Sequence, residues 1–194
     1  MTLVEILIKN EILYTIENSN ITVGGHLDLS DTAIKELPNN LTVGTSLYLS
    51  HTAIKELPDN LTVNGYLNLG YSKIEKLPNN LTVNGDLDIS LTVIKELPDN
   101  LIVSGSLNLY KSQIKKLPDN LIVNGYLNLS YSKIKEFPDN LTVVSDLYLD
   151  YSDIKELPDN LTVGRIISPQ NFQDQYDLIL RRRKRKQKLE SILS

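Results

Sequence analysis

Cysteine and tryptophan are absent from the 194 residues, methionine occurs once and histidine twice. Without thiols there is no disulfide, no thiolate metal site and no cysteine nucleophile, which fits a reducing compartment. The histidines, His26 and His51, have no clustered acid–base partner, so a catalytic role for either is not expected. Long apolar runs are missing too: none approaches the ~20 residues of a membrane-spanning helix. The opening MTLVEILIKN carries Glu5 inside its short apolar stretch and has no basic lead-in, so a signal peptide is not expected. No phosphate-cradling loop and no nucleophile elbow occurs. What remains is a chain 41% hydrophobic and 23% charged, with 20 basic and 24 acidic side chains. The resulting net charge of −4 conceals an asymmetry. Residues 1–164 carry 12 basic and 21 acidic groups, a net −9, whereas residues 165–194 carry 8 and 3, a net +5.

What is there is repetition. From residue 21 the chain reads ITVGGHLDLSDTAIKELPNN, LTVGTSLYLSHTAIKELPDN, LTVNGYLNLGYSKIEKLPNN, and four more 20-residue units follow to Asn160 without insertion. Residues 161–164, LTVG, begin an eighth unit. Such a period is the signature of a solenoid. In residues 61–80 the recurring apolar positions are Leu61, Val63, Leu67, Leu69, Ile74 and Leu77. The pair Leu67-x-Leu69 has the period of two of a strand with one buried face. Pro78, repeated at Pro38, Pro58, Pro98, Pro118, Pro138 and Pro158, fixes φ and cannot donate to a ladder, so that side of each coil should be extended rather than sheet. The Pro-Asp-Asn or Pro-Asn-Asn that follows is turn chemistry. One unit cannot bury enough to offset ordering its own backbone, so neighbouring coils must supply the rest. At about 4.8 Å per strand, seven or eight coils make a rod of about 35 Å.

These residues resemble the leucine-rich repeat family, in particular its short 20-residue bacterial class. The family's L-x-L-x-x-N-x-L-x-x-L-P falls on Leu67, Leu69, Ser72, Ile74, Leu77 and Pro78. The resemblance implies a repeat solenoid of seven coils with one parallel β-sheet. Two features depart from it. Where the family has a ladder asparagine this chain has Thr32, Thr52, Ser72, Thr92, Ser112, Ser132 and Ser152, hydroxyls that can still bond the neighbouring coil's backbone but with less reach than an amide. Val63 also sits one place early, before an Asn64-Gly65 corner, which makes a more β-helix-like cross-section the alternative. The LTVxGxLxLS wording is also similar to repeat proteins often carried by bacteriophages. The ubiquitin-ligase activity of some bacterial repeat effectors needs a cysteine, and none is present.

Three segments are expected. Residues 1–20 form an N-terminal cap, with a short helix over Leu3–Lys9 and a strand over Ile12–Ile16. Residues 21–164 form the solenoid. Residues 165–194 form a C-terminal basic helix from about Pro169, capped by Ser168, with Phe172, Tyr176, Ile179 and Leu180 on one face.

Chemistry should sit beside the strand leucines, where side chains point outward and align across coils. Four such columns hold Tyr48, Tyr66, Tyr71, Tyr110, Tyr126, Tyr131, Tyr148 and Tyr151, eight of the ten tyrosines, together with Asp86, Asp88, Asp146 and Asp150. Tyrosine offers large contact area at low entropy cost, and Ser, Asn and Asp adapt around it, as in antibody-like faces. This face reads as the partner-binding surface, for a protein with a basic surface. The plainer reading is that aromatics suit strands and duplication copied them, as Tyr-Ser at 71, 131 and 151 suggests. The aspartates at 59, 99, 119, 139 and 159, interrupted by Asn39 and Asn79, could ligate calcium, but they read better as solvated turn residues, so no metal or cofactor is expected.

The loudest charge signal is Arg181, Arg182, Arg183, Lys184, Arg185 and Lys186. Consecutive cations cover every face of a helix, so this run cannot pack a dry interface. It could bind nucleic acid or another anion, remain solvated, or fold back on the protein's own acidic face. The residues read as a non-catalytic protein-binding module. The resemblance to phage-borne repeats implies a setting in the cytoplasm of a bacterial host and a role in binding and blocking a host factor, such as a defence protein. A nucleic-acid binder working through the basic helix is the alternative, and an enzyme the least expected class.

Overall fold

A computed structural model of the chain describes residues 2–79, 81–169 and 172–193. It is a β-solenoid of stacked 20-residue coils, with a short helix at one end and a long one at the other. The N-terminal helix α1 (Leu3–Lys9) is closed by a capping box: the Thr2 hydroxyl accepts from the Glu5 amide while the Glu5 carboxylate accepts from the Thr2 amide. Leu3, Ile6 and Leu7 turn inward and cover the apolar end of the first coil. Strand β1 (Tyr14–Glu17), two residues later than the sequence suggests, then pairs antiparallel with β2 (Asn20–Val23).

From there the pairing is parallel, and each coil contributes two short strands rather than one. The first ladder runs through β2, β4 (Leu41–Val43), β6 (Thr62–Val63), β8 (Thr82–Val83), β10 (Ile102–Val103) and β12 (Ile122–Val123). The second comprises β3 (Leu27–Asp28), β5 (Leu47–Tyr48), β7 (Leu67–Asn68), β9 (Leu87–Asp88), β11 (Leu107–Asn108) and β13 (Leu127–Asn128). Partners are offset by one repeat, as in Leu67↔Leu87 and Val63↔Val83, so identical side chains stack.

The Asn-Gly corner separates the two strands of a coil. A Cβ on Gly85 would lie 2.6 Å from the Gly65 carbonyl carbon, so only glycine lets the coils approach this closely. In the seventh coil Val144-Ser145 replaces that corner. There the strand does not break: β14 (Thr142–Tyr148) spans both positions and joins the two ladders into one sheet. Strand β15 (Thr162–Ile167) pairs with it, and the register slips from Thr142↔Thr162 to Asp146↔Arg165.

The core is one column per apolar position. Leu67, Leu69, Ile74 and Val63 are fully buried, and Leu61 and Leu77 almost so. After the second strand each coil turns sharply. The amide of Ser72 donates to the Leu69 carbonyl, and Tyr71 between them has φ of 59°. Its equivalents Asp31, His51, Leu91, Lys111, Tyr131 and Tyr151 are all left-handed as well. A positive φ at the third residue of a hydrogen-bonded turn is the type II geometry, ordinarily filled by Gly or Asn.

The hydroxyl column does not do what the sequence suggests. Thr32, Thr52, Ser72 and Thr92 donate to a carbonyl three residues back in their own coil, at 2.6–2.8 Å. A short side chain on a tight turn reaches its own backbone first. Cross-coil side-chain ladders come instead from asparagines at the corners, such as Asn60 to Asn40 at 3.0 Å and Asn84 to Asn64 at 3.2 Å.

The far end is closed by α2 (Phe172–Leu193), which buries Phe172, Tyr176 and Ile179 and half-buries Leu180, the face read from the sequence. The Tyr176 hydroxyl ties the helix to the last coil, 3.0 Å from both the amide and the carbonyl of Val163. Pro169 lies in a bend rather than in the first helical turn, because β15 runs on to Ile167 and the chain must turn before the helix begins.

Candidate partner-binding face

The second ladder positions the tyrosines and aspartates. Each strand leucine points inward, so its neighbours face out on one side of the rod. All eight tyrosines of the four columns form ring contacts there, arranged in four groups. Tyr48 meets Tyr66 edge-on at 5.7 Å, and Tyr126 meets Tyr148 likewise at 5.8 Å. The turn column makes the rest: His51 stacks on Tyr71 at 4.7 Å, Tyr131 on Tyr151 at 4.7 Å, and Tyr110 meets Tyr131 edge-on at 5.5 Å. Such pairs contribute about 0.5–1.5 kcal/mol each beyond the area they bury. The rings therefore hold one another in place while remaining partly open to solvent. Tyr71, Tyr126, Tyr131 and Tyr151 are exposed, and Tyr48, Tyr66, Tyr110 and Tyr148 half-buried.

The carboxylates are held by their neighbours. Asp88 accepts from the Ser90 amide at 2.7 Å, from Nδ2 of Asn108 at 3.0 Å and from the Tyr66 hydroxyl at 3.4 Å. Asp86 accepts from the Ser106 amide at 2.6 Å. Burial pushes the Tyr66 phenol well above its usual range, and the Asp88 carboxylate adds to this. Tyr126 is raised for the same first reason, then by Asp86 and Asp88. The Tyr66 phenol is thus held neutral as a donor to Asp88, and Tyr126 is held neutral beside the same carboxylates. Asp150 is half-buried at the outer end of the face.

Asp146 has a partner that sequence reading missed. Nε and a terminal nitrogen of Arg165 lie 3.0 and 2.9 Å from its two oxygens, a bidentate pair, and the Tyr148 hydroxyl is 3.5 Å away. That hydrogen bonding with Arg165 holds the Asp146 carboxyl below its ordinary value and raises the guanidinium. The available signal was the eighth unit, one residue shorter before its apolar pair, which shifts Arg165 into line with Asp146. A second cation sits on the face: Nζ of Lys111 lies 5.2 and 5.1 Å from the ring centres of Tyr110 and Tyr131.

The basic run lies away from this face. Arg181, Arg182, Lys184, Arg185 and Lys186 are exposed, and Arg183 is half-buried with its guanidinium on the Asp159 carbonyl. At about 1.5 Å per residue, α2 is about 33 Å long, so its later turns run on past that corner of the coil. The run contacts none of the face tyrosines or aspartates. Among the described residues no cluster of metal-ligating side chains occurs, and no helix is long and apolar enough to cross a membrane. No protein-family model matches the chain, and no curated protein matches it.

Proposed function

We propose that the protein is a non-catalytic binding module of leucine-rich-repeat type that grips a basic protein surface with its tyrosine and aspartate face. The observation that carries this reading is the bracing of eight partly open tyrosines, seven against one another and Tyr71 against His51, beside Asp86, Asp88, Asp146 and Asp150 on one side of the rod. Pre-ordered aromatic area loses little entropy on binding, and carboxylates among the rings select a cationic partner. The phage-like wording of the repeats favours a setting in the bacterial cytoplasm and a host factor, such as a defence protein, as the blocked partner.

The test is alanine at Tyr66, Tyr126 and Tyr148 together. A partner pulled from bacterial lysate by the native protein should be lost by the triple variant, with its circular dichroism unchanged. Retained affinity would sink the assignment of the face. A second reading follows from the exposed cations on α2: nucleic-acid binding with a steep salt dependence, abolished by truncation after Leu180. A gel shift on intact and truncated protein separates the two.

A further inference from the structure

The face already shows, within the chain, which chemistry it holds. At its C-terminal end an aspartate beside a tyrosine, Asp146 with Tyr148, grips the guanidinium of Arg165. Two coils before Asp146, at the turn after the second ladder, the rings of Tyr110 and Tyr131 lie beside the ammonium of Lys111. In the middle of the rod the same chemistry recurs without a cation. Asp86 occupies the column of Asp146, sixty residues earlier, and its cross-coil neighbour is the short Ser106 where Asp146 has Arg165. Tyr66 stands one coil before Asp86 and Tyr126 two coils after it, about 14 Å apart along the rod at the usual strand spacing. Between them lie only Asp86 and Ser106 in that column, with Asp88 and Asn108 alongside. Tyr66 and Tyr126 thus flank an open slot at the exposed Asp86, with the Tyr66 hydroxyl reaching across to Asp88 at 3.4 Å. Asp88 spends its oxygens on the neighbours already named, whereas Asp86 has one oxygen on the Ser106 amide and its second without a hydrogen bond among the described residues.

We propose that this slot, between Tyr66 and Tyr126 over Asp86 and Asp88, is a subsite for one arginine side chain of the protein partner. The assignment rests on the face reading above and adds the chemical group at its centre. A planar guanidinium can donate to Asp86 and lie against a tyrosine ring at once, whereas an ammonium is a point charge that does only one of these well. The flanking phenols are donors and π-faces, but a carboxylate or phosphate ligand would meet repulsion from Asp86 and Asp88.

The probe is the capped tripeptide acetyl-Gly-Arg-Gly-amide, titrated into full-length protein carrying ring-labelled tyrosine and followed by NMR. Two analogues accompany it, one with lysine and one with citrulline, the neutral isostere of arginine. Saturating shifts should centre on Tyr66 and Tyr126, with affinity at least about tenfold above the citrulline peptide, and above the lysine peptide. Asp86→Asn together with Asp88→Asn should remove the effect. Asparagine already stands at the Asp88 position in Asn68, Asn108 and Asn128, so the variant uses the repeat's own residue there. Equal shifts with citrulline, equal affinity for lysine, shifts spread evenly to Tyr71 and Tyr151, or binding unchanged in the double variant would each overturn the subsite. If the peptide titrates the slot while the triple alanine variant still captures the partner, the slot's preference for arginine stands, but its use by the partner falls together with the face reading. If the triple variant loses the partner while the peptide leaves the slot unmoved, the face stands and the arginine assignment falls.

Discussion

The rings of Tyr131 and Tyr151 stack with centroids 4.7 Å apart and planes 24° from parallel, although both residues hold left-handed backbones, with φ of 57° and 53°. A non-glycine residue in that region costs about 1–2 kcal/mol. The strain recurs in every coil, and the ring stacking offsets part of it where two tyrosines follow each other. Leu91 sits in the same column at φ 54°, half-buried at the edge of the face and outside the core cluster. Leu91→Gly should therefore stabilise the protein by about 0.5–1 kcal/mol, once the greater freedom of glycine in the unfolded chain is allowed for. That corresponds to a rise of about 2 °C in Tm for a chain of this size. Tyr151→Gly should show no gain, because it relieves the same strain and loses the stack. A lower Tm for Leu91→Gly would show that the turn column is not strained.

The glycine corners give a sharper contrast. Gly85→Ala places a Cβ 2.6 Å from the Gly65 carbonyl carbon, where both sides are backbone and neither can swing away. Coils must part there, and overpacking of this kind costs about 1–3 kcal/mol. Gly25→Ala meets nothing within 4 Å, and its φ is not positive, so alanine should be neutral or slightly stabilising. Urea unfolding of the two variants checks this, and equal midpoints would contradict it.

Serine-to-alanine changes along one column should likewise diverge. The Ser72 hydroxyl donates to the Leu69 carbonyl at 2.6 Å, so Ser72→Ala should cost about 1 kcal/mol. The hydroxyls of Ser112, Ser132 and Ser152 are buried without a partner. Ser132→Ala removes an unsatisfied group and should be neutral or stabilising by up to about 1 kcal/mol. Equal destabilisation of the two variants, measured by denaturant midpoint, would mean that Ser132 makes a bond like that of Ser72.

The repeat period, the buried columns, α1 and the inward face of α2 were all legible in the sequence, because each is a pattern of apolar spacing. The first ladder was not. Strands such as Thr62–Val63 are two residues long, too short for any period to register, and they form only because the next coil presents the same two residues. The turn column was hidden because Tyr, His, Leu and Lys occupy a geometry for which sequence reading expects glycine or asparagine. On the face, the outward columns could be named residue by residue, but not their pairing. The Tyr66 hydroxyl reaches Asp88 across a coil and a column, and Arg165 reaches Asp146 only through a one-residue slip in β15.

The raised phenol of Tyr66 makes stability fall at alkaline pH in a way one substitution can isolate. Its usual pKa is 10.0, and burial, then Asp88 and the neighbouring Tyr126 and Tyr48, push the folded value higher. A group raised on folding contributes stability that is complete below the unfolded value and is lost as pH rises through the folded one. The native protein should therefore show an unfolding midpoint that is flat across neutral pH and falls from about pH 10 upward. Its alkaline absorbance titration should carry a late phase from Tyr66 and Tyr126. Tyr66→Phe keeps the edge contact with Tyr48 but has no proton to lose, so its alkaline decline should be shallower and its late absorbance phase smaller. An unchanged late phase in Tyr66→Phe would show that the hydroxyl is not held over Asp88.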